Sequence, residues 1–314
     1  MLDLPTTVAC SALLIGLCYT CFGWTRSSEL YDDADAVLLN LSPPETRWFN
    51  MGFWTCPGHA ADDFVRAAEE LCRTVARAAR LRPGERICEV GYGSGDSTLL
   101  LMEEFKPKRY LGFTSLGAQQ KVAARRAAEA NLSAADVVLR CGDAARELSA
   151  LPTESQDVVL AVDCAYHFNT RLDFLSSAHR ILVPGGRLAL TDLVLPTERL
   201  ALWDYILLRI LFYCANTPWR NFLTPSQYRA DLVKAGFDPG SIVMHDISDD
   251  VWPGFCRFVR ERDRKLGRGG ILGSSWRGLL TYTRIVEWYS GVRGGPSRLR
   301  FYLVSASNPI PSAT

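Results

Sequence analysis

The sequence has no surplus of either charge: 35 basic residues against 34 acidic ones leave a net charge of +1. A chain that holds nucleic acid by its phosphates needs a basic excess, so nucleic acid is not the expected partner. Cysteine is present but lacks a paired pattern. Of the 10 cysteines only Cys18 and Cys21 form a CxxC, and no second such spacing completes a zinc site. The cysteines beyond residue 25 are odd in number and cannot all pair with one another, which favours a reducing compartment. Histidine is scarce, with 4 in 314 residues. Internal repeats and low-complexity tracts are missing. What is there is an ordinary globular composition, 48% apolar and 22% charged, in a length that suits one large domain or two small ones.

One stretch lacks charge altogether. Residues 6–24, TTVACSALLIGLCYTCFGW, would form a helix about 28 Å long, close to the roughly 30 Å hydrocarbon core of a bilayer. The leader MLDLP carries Asp3 and no basic residue, and no small-residue cleavage site follows. An uncleaved single-pass anchor over residues 1–25 is therefore expected in place of a signal peptide. Cys18 and Cys21 then serve membrane packing. Arg26 just behind the span places the bulk of the chain in the cytosol, at the endoplasmic reticulum or another endomembrane.

Residues 26–82 have the pattern of a helical cover, with Phe64, Leu71, Val75 and Leu81 at helical spacing among arginines and acids. From Arg86 onward, β-type runs (RICEV, RYLGF, DVVLRC, DVVLAV, GRLALTDLVL) alternate with helical ones. That alternation requires right-handed crossovers. It predicts a doubly wound α/β domain over residues 83–314 that binds its ligand beyond the carboxyl ends of the strands, where strand order switches. Two later runs, SIVMHDI and RLRFYLVSAS, bring the mostly parallel sheet to seven strands. The rhythm breaks at an insertion over about residues 197–223. Its segment RLALWDYILLRILFYCANTPWRNF is too short and too charged to span a membrane, and suits a lid or an interfacial helix, or else a buried cap helix.

Gly91, Gly93 and Gly95 form a GxGxG between the first strand and its helix. Such a backbone turns tightly and lets a ligand approach the N–H groups of the helix start. A dinucleotide fingerprint would continue as GxGxxG, but position 96 is Asp96, and no acid ends the second strand. Glu89, just before the loop, repels a pyrophosphate and favours a cation.

The pattern Glu-x-Gly-x-Gly-x-Gly, with GFTSLGAQQKVAARRA downstream and RILVPGGRLALTDL at the fifth strand, resembles the class I S-adenosylmethionine-dependent methyltransferases. Within them it resembles the branch of sugar O-methyltransferases, ubiquinone, sterol and tocopherol C-methyltransferases, and cyclopropane synthases. The likeness runs from about Tyr31 to Asp246. It implies a Rossmann-like fold and S-adenosylmethionine as cofactor, a sulfonium cation with an amino-acid tail, a ribose and an adenine. It further implies that Glu89, Gly91, Gly93 and Gly95 meet the tail and that Thr114 and Gln119 read the ribose. Leu116 departs from the branch, which often has a hydroxyl there. Asp143 would accept from the adenine amino group beside the backbone of Ala144, although a helix N-cap is its ordinary alternative. Tyr31 in LYDDADAVL and Trp54 in WFNMGFW match aromatic elements that close over the cofactor.

The fourth strand ends in AVDCAYHFNTR, which brings Asp163 and His167 toward the transferring methyl. His59, His179 and His245 fall on a loop, a helix and a peripheral strand. Transfer to oxygen or to an acidic carbon needs a base near neutrality, which suits imidazole. The resemblance supports this, since sugar O-methyltransferases carry a histidine here; a structural histidine is the alternative. Tyr166 stands where cyclopropane synthases have a carboxylate, which disfavours cyclopropanation. The expected function is methyl transfer from S-adenosylmethionine to a small lipophilic acceptor, with no metal. The alternative is a membrane-tethered, S-adenosylmethionine-binding assembly or regulatory protein without catalysis.

Overall fold

The computed structural model describes residues 39–40, 45–56, 63–132, 136–265 and 273–310, with side chains of the last stretch described from residue 278. The apolar stretch 6–24 and Tyr31 lie outside the described residues. Among the described residues no helix is long and apolar enough to cross a membrane.

After helix α1 (Phe64–Ala78), strands β1 (Arg86–Val90), β2 (Arg109–Thr114), β3 (Val137–Cys141) and β4 (Gln156–Ala161) alternate with helices α2 (Asp96–Leu100), α3 (Gly117–Glu129) and α4 (Ala144–Ser149). A 3-10 turn, Ala165–His167, leads from β4 to α5 (Arg171–Ile181), then β5 (Leu182–Val194). The insertion supplies α6 (Leu202–Cys214) and the 3-10 turn Trp219–Asn221, and α7 (Pro225–Ala235) and β6 (Val243–Asp246) follow. The long pair α8 (Ser248–Lys265) and α9 (Gly273–Ser290) precedes the last strand, β7 (Arg300–Ser307). The sheet is seven-stranded in the order β3-β2-β1-β4-β5-β7-β6. Strands β1 to β5 pair in parallel, and β7 pairs antiparallel to both β5 and β6, so the sheet is mixed.

The pleat sorts each strand's side chains to opposite faces. Ile87, Tyr110, Val158 and Leu160 meet Phe64, Leu71 and Val75 of α1 and Phe255 and Phe258 of α8. Their neighbours Cys88, Leu111, Val159 and Ala161 meet Phe174 and Leu175 of α5 and Tyr228 and Leu232 of α7. Burial on both faces explains why these strands are almost continuously apolar in sequence. Strand order reverses between β1 and β4, and the crevice at their carboxyl ends is the ligand position that such a sheet creates.

The ends of β4 and β5 are tied by a buried ionic network. Arg171, at the start of α5, donates from Nη1 to Asp192 Oδ2 at 2.7 Å, and both side chains are fully enclosed. Tyr228 donates its hydroxyl to the same oxygen at 2.9 Å, and its ring lies 4.0 Å from the guanidinium carbon. The second oxygen of Asp192 accepts from the Leu193 amide. Asp192 is thus committed to the scaffold and does not face an acceptor. Asn221 ties the insertion to the same region, accepting from Arg171 N and donating to the carbonyls of Tyr166 and Phe168. Replacing Asp192 by Ala strands a buried guanidinium, and urea unfolding should show a loss of about 3–5 kcal/mol. A loss below about 1 kcal/mol would mean that the pair is hydrated and contributes little.

Candidate active site

The glycine loop is held open by its surroundings. Gly91, Gly93 and Gly95 have φ values of 83°, 58° and 94°, a region that disfavours any side chain. At Gly95 a Cβ would lie 2.9 Å from the Cβ of Ala123 and 3.0 Å from its Cα, so glycine there lets α3 pack against the loop. A Cβ on Gly93 would meet nothing within 4 Å. Its bare face is therefore turned to open space, where a ligand can come to backbone distance. Between them Tyr92 is buried, its hydroxyl donating to Arg140 O at 3.1 Å, and Gly112 on β2 leaves the room for its ring.

Glu89 lies under this loop, fully buried at the end of β1. Its Oε2 accepts from the Tyr110 hydroxyl, which in turn accepts from Thr98 at 2.9 Å. Its Oε1 is buried with no hydrogen-bond partner among the described residues. Burial pushes the carboxyl up to about 7, and the hydroxyls of Tyr110 and Ser97 only partly offset this.

Residues 45–52 form a strap across the crevice. The Arg47 amide donates to both oxygens of Asp96, the first residue of α2, at 3.1 and 3.2 Å. The Met51 amide donates to Asp163 Oδ2, just past β4, at 2.8 Å. The strap thereby joins the two strands between which the order switches. Arg126 of α3 completes the anchor, pairing with Asp96 at 2.7 Å and donating to Ser94 O at 3.1 Å. Asp163 has a φ of 53°, donates its amide to Thr191 Oγ1 at 2.8 Å and accepts from the Tyr166 hydroxyl at 3.1 Å. Burial raises its carboxyl to about 7.

His167 closes the 3-10 turn that follows β4. Its Nδ1 lies 3.2 Å from Thr217 Oγ1, on the loop that leaves α6, and the Tyr166 ring is 4.5 Å away. Burial lowers the imidazole to about 4, so the ring is neutral at physiological pH.

The expected ribose pair meets, with Thr114 Oγ1 donating to Gln119 Oε1 at 2.9 Å. Asp143 caps α4, accepting from the Arg146 amide at 3.0 Å, and Ala144 is buried beside it. The ordinary N-cap role is thus present and leaves Asp143 exposed at the carboxyl end of β3. Trp54 packs between helices. Its indole packs against Phe64 and Phe258, at centroid distances of 6.4 and 5.6 Å, over the bare Cα of Gly254, and its N–H donates to Met51 O. Its recorded contacts are those of a wedge between α1 and α8 that steadies the strap. Arg126, Tyr110 and Thr217 escape sequence reasoning, because each acts through a partner remote in the chain. Only Asp96 carried a signal, as an acid in a helix's first turn. Among the described residues no group of acids, histidines and cysteines could hold a metal.

Residues 88–190 match the methyltransferase-domain family. Over that span the chain is similar to the S-adenosylmethionine-dependent methyltransferases. It is 30% identical over 181 residues to erythromycin 3''-O-methyltransferase of Saccharopolyspora erythraea, a match covering 54% of this chain and 55% of that protein. It is 33% identical over 185 residues to phthiotriol/phenolphthiotriol dimycocerosates methyltransferase 1 of Mycobacterium ulcerans, covering 59% and 61%. The chain therefore spans a little over half the length of these curated relatives. The fold is also that of the cyclopropane synthase MmaA2 from Mycobacterium tuberculosis, with a TM-score of 0.66 at 15% identity over 90% of this chain and 96% of that one. The cyclase SpnF gives 0.65 at 22% identity over the same shares.

S-adenosylmethionine is the cofactor of this family, and the site fits it. An orphaned, buried carboxylate oxygen suits an ammonium, and a bare Gly93 suits a close-lying methionine tail. Glu89 gives this fit a pH signature. Its folded value lies above the ordinary carboxylate value, so the stability it contributes is full below about pH 4.5 and is lost as pH rises through about 7. A bound ammonium favours the ionised form, so binding near pH 6 should release up to about one proton. Calorimetric titration in buffers of differing ionisation enthalpy should show this release, vanishing in Glu89→Gln and above about pH 8.5. Proton uptake, or release unchanged in the variant, would remove Glu89 from the ammonium site.

Proposed function

We propose that this chain transfers a methyl group from S-adenosylmethionine to a small lipophilic acceptor, on oxygen or acidic carbon, with His167 as general base. The observation that carries the reading is a half-buried imidazole just past β4, beside the switch-point crevice and held through Nδ1 by Thr217; burial lowers it to about 4, below the near-neutral value the sequence suggested, so it is unprotonated at physiological pH. When bound, the cofactor supplies an electrophilic methyl on a sulfonium.

The chain's own residues do the rest. Glu89, Gly91, Gly93 and Gly95 hold the amino-acid tail, Thr114 and Gln119 the ribose, and Asp143 and Ala144 the adenine edge, with Asp163 fixing the strap above. Thr217 has one hydroxyl hydrogen, and Ala215 O accepts it at 3.3 Å. In the tautomer with its proton on Nδ1, the ring donates to the Thr217 oxygen and Nε2 takes the acceptor's proton. Enclosure beneath the strap excludes water, and placement of the acceptor supplies much of the acceleration.

The names of the two relatives specify erythromycin and phthiotriol dimycocerosates as what they methylate, which supports a small-molecule or lipid acceptor. The aromatic and apolar insertion above His167 supports a lipophilic one. We place the chain at an endomembrane, held by residues 6–24, with the catalytic domain in the cytosol.

The test is transfer of labelled methyl from S-adenosylmethionine into the organic phase of a total lipid extract. His167→Gln should lower turnover by about 10²–10⁴ while cofactor affinity stays within about threefold. Thr217→Val should cost about tenfold in kcat, and Thr217→Ser should restore it. Unaltered turnover in His167→Gln would end the base assignment. Cofactor binding without any methyl transfer would favour the non-catalytic alternative.

A further inference from the structure

Helix α6 is apolar on two opposite faces, and the sheet uses only one. Leu208 and Phe212 are buried in the core. On the other side Leu202, Trp203 and Tyr213 are 70%, 50% and 86% exposed, and the half-buried Ile206 and Ile210 complete the row. Residues 203, 206, 210 and 213 share one face of a 3.6-residue helix, so the apolar stripe is continuous over about 15 Å. A surface helix ordinarily turns charge to water on that side.

The rim of the stripe is cationic. Arg209 lies at its edge, its guanidinium carbon 5.8 Å from the Tyr205 ring and 5.4 Å from the Trp219 ring. Arg199 before the helix, with the exposed Glu198 beside it, and Arg220 after it are exposed, and the helix's own acid, Asp204, is neutralised by Arg298 at 2.6 Å, so Arg209 and Arg220 remain in excess. Tryptophan and tyrosine beside arginine, bordering aliphatic residues, are what the headgroup level of a bilayer selects: apolar bodies sink and cations stay with the phosphates. A second copy fits less well, because an antiparallel pairing across this stripe would bring the two Arg209 side chains together.

We propose that the outer face of α6 seats in the interface of an anionic lipid bilayer. The loop leaving α6 carries Thr217, which touches His167. Seating this helix therefore places the entrance of the site at the lipid surface, and an apolar acceptor reaches it without crossing water. The route of the acceptor rests on the methyl-transfer reading; the docking itself does not.

The experiment uses the full chain with vesicles of phosphatidylcholine, alone or mixed with phosphatidylglycerol, carrying brominated acyl chains. Mixed vesicles should quench the wild type more than Trp203→Phe. The double substitution Leu202→Glu, Tyr213→Glu, at exposed positions, should abolish that difference while melting temperature and S-adenosylmethionine binding remain unchanged. Arg209→Glu should weaken quenching on mixed vesicles only. Equal quenching of the wild type and Trp203→Phe would overturn the proposal, even if residues 6–24 hold the chain on the vesicles. So would a wild-type dimer in light scattering that the double substitution dissociates. Turnover enters none of these readings, so a failure here is distinct from a failure of the catalytic assignment.

Discussion

A carboxylate buried without a cation is the constraint around which this site is built. Glu89 sits at the end of β1 under a loop that presents only backbone, and one of its oxygens has no partner among the described residues. Burial of an unpaired charge is costly, so in the free protein the group moves toward its neutral form. A ligand that brings an ammonium to that oxygen relieves the cost, and one that brings a phosphate increases it. A single buried carboxylate and the bare backbone beside it thus suit a cationic ligand better than a phosphate.

The remaining architecture keeps that crevice in register. The strap is latched at both sides of the switch point, on Asp96 and Asp163, and Arg126 fixes the Asp96 side to α3. On the acceptor side, the Arg171–Asp192–Tyr228 network locks α5, β5 and α7 together. Asn221 extends that lock to the insertion and to the carbonyls of Tyr166 and Phe168, which flank His167. The two networks meet over one opening, with His167 beside one and the glycine loop beside the other. The likeness to both a cyclopropane synthase and a cyclase shows how far this fold can serve different chemistry, so function has to be argued from these side chains.

Much of this was legible in the sequence because it is local. Strands buried on both faces have continuous apolar runs, glycines mark positive φ, and Asp143 has the position of a helix cap, so β1 to β5, the cofactor loop and α4 follow directly from the residues. Thr114 and Gln119, five residues apart, are hydrogen-bonded through their side chains. What was illegible depends on contacts between distant residues. Nothing near Arg126 announces Asp96, nothing near Thr217 announces His167, and nothing near Asp192 announces Arg171 or Tyr228. Trp54 shows the same limit, since an aromatic beside a glycine suits a cofactor lid and a packing wedge equally well. Only the opposing α1 and α8 faces decide which.

The central claim is that S-adenosylmethionine occupies the switch point beneath the strap. Hydrogen–deuterium exchange of the full chain, with and without S-adenosylhomocysteine, tests it most directly. The account predicts that amides of the strap, of the glycine loop through Asp96, and around Thr114 to Gln119 and Asp143 slow together, while α8 and α9 exchange as before. Protection elsewhere, or none at a concentration of the compound that saturates binding, would contradict it.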